Sequence, residues 1–115
     1  MTTVQTGHRA EAAAAAFLER KGCRIIGRNW RTRLCEIDII AERAGVIFLC
    51  EVKYRQTTRQ GTGLDYVTPQ KLRRMRFAAE SWVQAHAWHG EYQLCAIEVS
   101  GPEFTVTAAV KDLLL

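Results

Sequence analysis

Two apolar runs separated by a short gap, Cys35-Glu36-Ile37-Asp38-Ile39-Ile40 and Phe48-Leu49-Cys50-Glu51-Val52-Lys53-Tyr54-Arg55, carry charges at their centres. Their β-branched and aromatic content predicts two strands. Ala44-Gly45 between them reads as a two-residue hairpin loop. Charges scattered through buried strands are costly, so they must be gathered on one side of the pair. With Arg43 paired to Val46, Asp38 lies opposite Glu51 and Glu36 opposite Lys53. The other face then holds Cys35, Ile37, Ile39, Ala41, Phe48, Cys50, Val52 and Tyr54, apolar throughout. A slip of one residue would put Glu51 and Lys53 among those apolar side chains, so the hydrophobic pattern selects this register.

Directly opposed strand positions hold their Cβ atoms roughly 4.5–5.5 Å apart, and like charges there repel. Asp38 and Glu51 therefore need positive charge nearby, which Lys53 supplies in part. Two converging carboxylates also suit a hard divalent cation such as Mg²⁺, which binds through one or two carboxylates and keeps waters for substrate phosphates. A solvated face with a Glu36/Lys53 ion pair accounts for the same residues. Geometry alone leaves the two readings level.

The remaining pattern sets the frame. The Ala-rich segment Gly7 to Lys21 predicts a helix, with Ala10, Ala13, Ala14, Phe17 and Leu18 in one stripe and Gly22 as its stop. Cys23 to Gly27 predicts a first strand, followed by a basic turn from Arg28 to Arg33 and strands over 35–42 and 46–54. Gln56 to Asp65 reads as a loop. Thr68-Pro69 opens a second helix running to Ala87, with Leu72, Met75, Ala79, Trp82 and Val83 inward and Gly90 closing it. Tyr92–Val99 and Phe104–Ala108 form the last strands, across the turn Ser100-Gly101-Pro102. The order α β β β α β β predicts an α/β fold: a five-stranded mixed sheet flanked by two main helices, with 1–115 as a single domain.

Sixteen Lys and Arg against twelve Asp and Glu give a net charge of +4, which favours an anionic partner. Lys71, Arg73, Arg74 and Arg76 crowd the first turns of the second helix, where its dipole disfavours positive charge. Phosphate contacts would explain them, together with Arg28, Arg31 and Arg33 around Trp30 and with Arg55 and Arg59. A solvated basic face is the competing reading. Cys23, Cys35, Cys50 and Cys95 form no C-x-x-C pair and are expected as reduced, mostly buried thiols, not as a zinc site. His86 and His89 suit a helix C-terminus better than a metal. The run Ala12–Leu18 is too short for a signal-peptide core, and no stretch is long enough to span a bilayer, so a cytoplasmic protein without a membrane partner is expected.

Asp38 followed by Glu51-Val52-Lys53 resembles the D…(D/E)-x-K signature of the restriction-endonuclease-like nucleases. The wider set Gly7-x-x-x-Glu11, Gly22, Arg28-Asn29, Glu36-Ile37-Asp38-Ile39-Ile40, Phe48-x-x-Glu51-Val52-Lys53-x-Arg55 and Val67-Thr68-Pro69-Gln70-Lys71 resembles the bacterial YraN family from about Thr6 to Val99. That resemblance implies a nuclease fold related to archaeal Holliday-junction resolvases. It implies an endonuclease acting on DNA, branched DNA included, with Mg²⁺ or Mn²⁺ as cofactor. Asp38 and Glu51 would hold the metal, Lys53 would activate the attacking water and offset phosphate charge, and Glu11 would reach the site from the first helix. Helix-dipole stabilisation of an acid in a first turn is the plain alternative for Glu11. Ala10, Cys35 and Cys95 depart from the family pattern. A nucleic-acid-binding module that does not cut and a protein-interaction domain with a structural acidic pocket remain alternatives. Junction resolvases of this fold work in pairs, so a homodimer is also implied, with no residue marking its interface.

Overall fold

The computed structural model describes residues 1–57 and 67–111. In them the chain runs α1 (Thr3–Arg20), β1 (Arg24–Arg31), β2 (Glu36–Arg43), β3 (Val46–Arg55), α2 (Pro69–Ala85), β4 (Tyr92–Ser100) and β5 (Thr105–Val110). The strands form one sheet in the order β1-β2-β3-β4-β5. Among the described residues only β3 and β4 are parallel, and α2 lies in the crossover that a parallel pair requires. The expected order and the mixed sheet are both present. Most of the loop expected over 56–65, including Arg59, lies outside the described residues.

α1 begins four residues before Gly7 because Thr2 closes a capping box. Its side chain accepts from the Gln5 amide at 3.1 Å, and Gln5 Oε1 accepts from the Thr2 amide at 2.8 Å. Gly22, at φ 90°, follows the helix end. Glu11 consequently lies two turns inside the helix, where dipole stabilisation does not reach it. α2 starts where Thr68 accepts from the Lys71 amide at 3.1 Å. It ends at Ala85, before the expected Ala87, and Ala87, at φ 50°, makes the left-handed exit expected of Gly90.

Each helix covers one face of the sheet. Ala10, Ala14, Ala15 and Leu18 of α1 pack on Ile39, Ala41, Cys50, Ile97 and Val99. Met75, Ala78, Ala79 and Trp82 of α2 pack on Ile37, Ile40, Ile47, Leu49, Leu94 and Ala96. The alanines let the helix backbones approach the strands closely, and each sealed isoleucine contributes roughly 1.5–3 kcal/mol. Among the described residues no helix is long and apolar enough to cross a membrane.

The hairpin register is the expected one from Arg43↔Val46 to Ile39↔Cys50. Two expectations beyond it are corrected. The segment from Arg28 is no turn: β1 continues through Arg31, and the turn is made by Thr32, whose Oγ1 accepts from the amides of Leu34 (3.1 Å) and Cys35 (3.2 Å). Nor does one face hold Cys35 and Ile37 together with Ile39, because both pack on the α2 side while Ile39 packs on the α1 side. In a regular strand residues two apart share a face. The alternation breaks at Asp38, and β1 breaks opposite it: Arg28 meets Glu11 of α1, Trp30 packs on the α2 side, and Asn29 between them has φ 54°. A left-handed residue reverses the strand's facing there, which Asn tolerates better than most.

Candidate metal and nucleic-acid site

Asp38 sits at this reversal. Backbone pairing of β2 with β3 extends from Arg43 to Ile39, and beyond it the Val52 amide donates to Asp38 Oδ2 at 2.8 Å. The carboxylate takes the place of a ladder carbonyl and stands in the plane where the two faces meet. Burial pushes the Asp38 pKa up to about 7, Glu51 adds to the rise, the Val52 hydrogen bond opposes it, and Glu11 and Glu36 add smaller repulsions. Asp38 thus feels acids from both helical faces: Glu51 on the α2 side and Glu11 on the α1 side.

Those acids have different partners. Glu51 Oε1 lies 2.7 Å from Lys71 Nζ. Glu36 does not pair with Lys53 as expected: it lies 3.4 Å from Arg31 Nε, its neighbour in the β1–β2 register. Glu11 is largely buried, and its Oε1, 3.8 Å from Arg28 Nη2, has no hydrogen-bond partner. Lys53 is exposed and neighbours Glu98 in the β3–β4 register. Among the described residues no three acid, His or Cys side chains are grouped closely enough to hold one ion. A cation held by Asp38 and Glu51 would therefore need water in its remaining positions, as Mg²⁺ commonly keeps.

Beside Glu51 a cleft of about 580 Å³ opens between α2 and the start of β2. Lys71, Arg73 and Arg74 line it together with Glu36 and Glu51. Of the other expected phosphate contacts, Arg28 and Arg31 sit on Glu11 and Glu36, and Arg33 is exposed in the Thr32 turn. Arg55 Nε lies 2.8 Å from Oε2 of Glu98, a carboxylate with no exposure to solvent. Thr107 Oγ1 donates to Glu98 Oε1 at 2.8 Å. The thiols are all free, with Cys50 and Cys95 buried and Cys23 and Cys35 half-buried.

Sequence reasoning passed over three residues here. Glu98 carried the same signal as Asp38, an acid inside an apolar strand. Phe77 lies off the inward stripe of α2, and Leu34 stands alone in a basic turn; both line the cleft.

The family described as "Uncharacterised protein family UPF0102" matches residues 10–105. A UPF0102 protein of Cytophaga hutchinsonii is 35% identical over 106 residues, covering 92% of this chain and 94% of the relative. A UPF0102 protein of Leifsonia xyli subsp. xyli is 43% identical over 82 residues, 71% of this chain and 70% of the relative. One of Rhodopseudomonas palustris is 43% identical over 90 residues, 78% of this chain and 67% of the relative. A match that runs from α1 to β5 and takes in the Asp38 reversal, Glu51-Val52-Lys53 and the start of α2 makes this chain a member of the UPF0102 family, the YraN family its motifs resemble.

Proposed function

We propose that the chain is a divalent-cation-dependent endonuclease that hydrolyses phosphodiester bonds in DNA, branched DNA included. The observation that carries this reading is the crowding of Asp38 by Glu51 and Glu11 beside a cleft lined by Lys71, Arg73 and Arg74. A carboxyl raised by burial and by like charge, next to a cationic groove, is characteristic of functional sites. Asp38 and Glu51 are the ligands for Mg²⁺ or Mn²⁺, which when bound supplies a Lewis acid for the phosphoryl oxygen and acidifies water. The Val52 amide fixes the Asp38 carboxylate and so fixes one ligand. Lys53 offsets the charge that develops on the phosphate, and Glu11 orients the attacking water from the first helix. Arg73 and Arg74 hold the backbone without reading sequence.

One observation favours a second reading. Lys71 already neutralises Glu51 at 2.7 Å, which suits a DNA-binding module that does not cut.

The test is incubation of the purified chain with linear, flap and four-way-junction DNA, with Mg²⁺ or Mn²⁺ and with chelator. The enzyme reading expects metal-dependent cutting that Asp38→Ala, Glu51→Ala and Lys53→Ala abolish while binding persists. Binding without cutting under every metal condition establishes the module instead.

A further inference from the structure

Two apolar side chains line the cleft without being buried by it. Leu34 is 80% exposed and Phe77 is 49% exposed, one on the Thr32 turn and the other on α2. Neither is a loose end. Thr32 Oγ1 accepts from the amides of Leu34 and Cys35, and the Thr32 amide donates to the Cys35 carbonyl at 2.9 Å, so the turn holds Leu34 outward. Phe77 stands one turn beyond Arg73 and Arg74, at the spacings that make helix side chains neighbours. Val4, Ile26 and Val110 are exposed elsewhere on the surface, but Leu34 and Phe77 stand together in one groove that Lys71, Arg73 and Arg74 also line.

We propose that Leu34 and Phe77 grip an unpaired nucleotide base, and that the DNA taken by this cleft contains single-stranded nucleotides next to a duplex. This rests on the cleft being the nucleic-acid site and names the substrate class within it. In duplex DNA the base faces are stacked on one another and the outer surface offers phosphate and sugar. Apart from thymine methyl groups in the major groove, an apolar pair gains from DNA where a base is unstacked or a step is pried open. The phosphate on either side of that base is met by Arg73 and Arg74, so the backbone and the base are held by adjacent turns of one helix. The same guanidinium groups favour a polyanion over an apolar protein surface as occupant.

The experiment measures affinity, not cutting. Fluorescence anisotropy in chelator compares a fully paired duplex with the same duplex carrying a single-stranded flap, for the native chain and for Phe77→Ala, Leu34→Ser and Arg73→Gln/Arg74→Gln. The flap should bind more tightly than the duplex to the native chain. Phe77→Ala and Leu34→Ser should each weaken flap binding about tenfold and duplex binding by less than about twofold, while the arginine pair should weaken both. 2-Aminopurine at the first unpaired position should be quenched by the native chain and not by Phe77→Ala. Thermal midpoints of the exposed-site variants should match the native chain, which separates lost contact from lost fold.

Equal native affinity for the two DNAs, equal losses on both, no DNA binding at all, or self-association that the apolar variants abolish without changing DNA affinity would each overturn the proposal. Flap preference without cutting by the native chain would leave it standing and sink the nuclease reading. Cutting without flap preference would do the reverse.

Discussion

Lys71 Nζ and Glu51 Oε1 are 2.7 Å apart, joining the first turn of α2 to the middle of β3. The pair is partly exposed, so solvent screening limits its worth to at most about 1 kcal/mol of stability. It also places an ammonium on a carboxylate that is expected to bind a divalent cation, and the two cations compete. Lys71→Met should therefore lower stability only slightly and raise Mn²⁺ affinity roughly threefold, the equivalent of a weak pair. Titration calorimetry reads the change directly. Weaker Mn²⁺ binding in Lys71→Met would mean that Lys71 supports the ion and does not compete with it.

Asp38 makes a pH prediction whose sign follows from its raised pKa. Between about pH 4 and about pH 7 the native state keeps a proton that the unfolded chain has lost, so stability falls as pH rises through that window and then levels off. Asp38→Asn removes the charge, and its side-chain oxygen can still accept from the Val52 amide. The variant should show a flatter profile and exceed the native chain above about pH 7 by on the order of a few kcal/mol. Urea midpoints across the window check it. A divalent cation prefers the ionised form, so its affinity for the native chain should rise with pH over the same range.

The hairpin was legible because it rests on period-two alternation around a fixed loop, and that alone placed Ile39 opposite Cys50. The reversal at Asp38 was not legible. Alternation assumes regular backbone, and nothing in the order Arg28-Asn29-Trp30 distinguishes a turn from a strand whose middle residue is left-handed. The basic side chains were visible as charges, but their partners come from elements far apart in sequence: Arg55 and Glu98 are separated by the whole of α2, as are Arg28 and Glu11 by the end of α1. Phe77 and Leu34 were hidden by the habit of assigning apolar residues to the core.

Asn29 carries its own prediction. Its φ of 54° is what lets Arg28 face α1 while Trp30 packs on the α2 side. A β-branched side chain at that dihedral is strained, so Asn29→Val should cost about 1–2 kcal/mol, whereas Asn29→Gly, which adopts the conformation freely, should be close to neutral. Denaturant midpoints distinguish them. If Val were tolerated, the reversal would have to be set by packing of Trp30 and not by the backbone at Asn29.

The buried pair of Arg55 and Glu98 tests whether this part of the sheet is a structural support. Glu98 Oε2 lies 2.8 Å from Arg55 Nε, an ion pair without hydrogen-bond geometry, and its other oxygen accepts from Thr107 at 2.8 Å, in a carboxylate sealed from solvent. Removing the guanidinium leaves an uncompensated buried charge. Arg55→Met should cost about 3–5 kcal/mol. Removing both charges is different, because Ser100 Oγ and Thr107 Oγ1 lie 2.9 Å apart and keep each other as partners when Glu98 is gone. The double variant Arg55→Met/Glu98→Met should therefore be more stable than Arg55→Met alone, a sign that additive losses cannot give. A double-mutant cycle by urea denaturation reads the coupling. Additive losses would instead assign Arg55 its worth through packing or another contact.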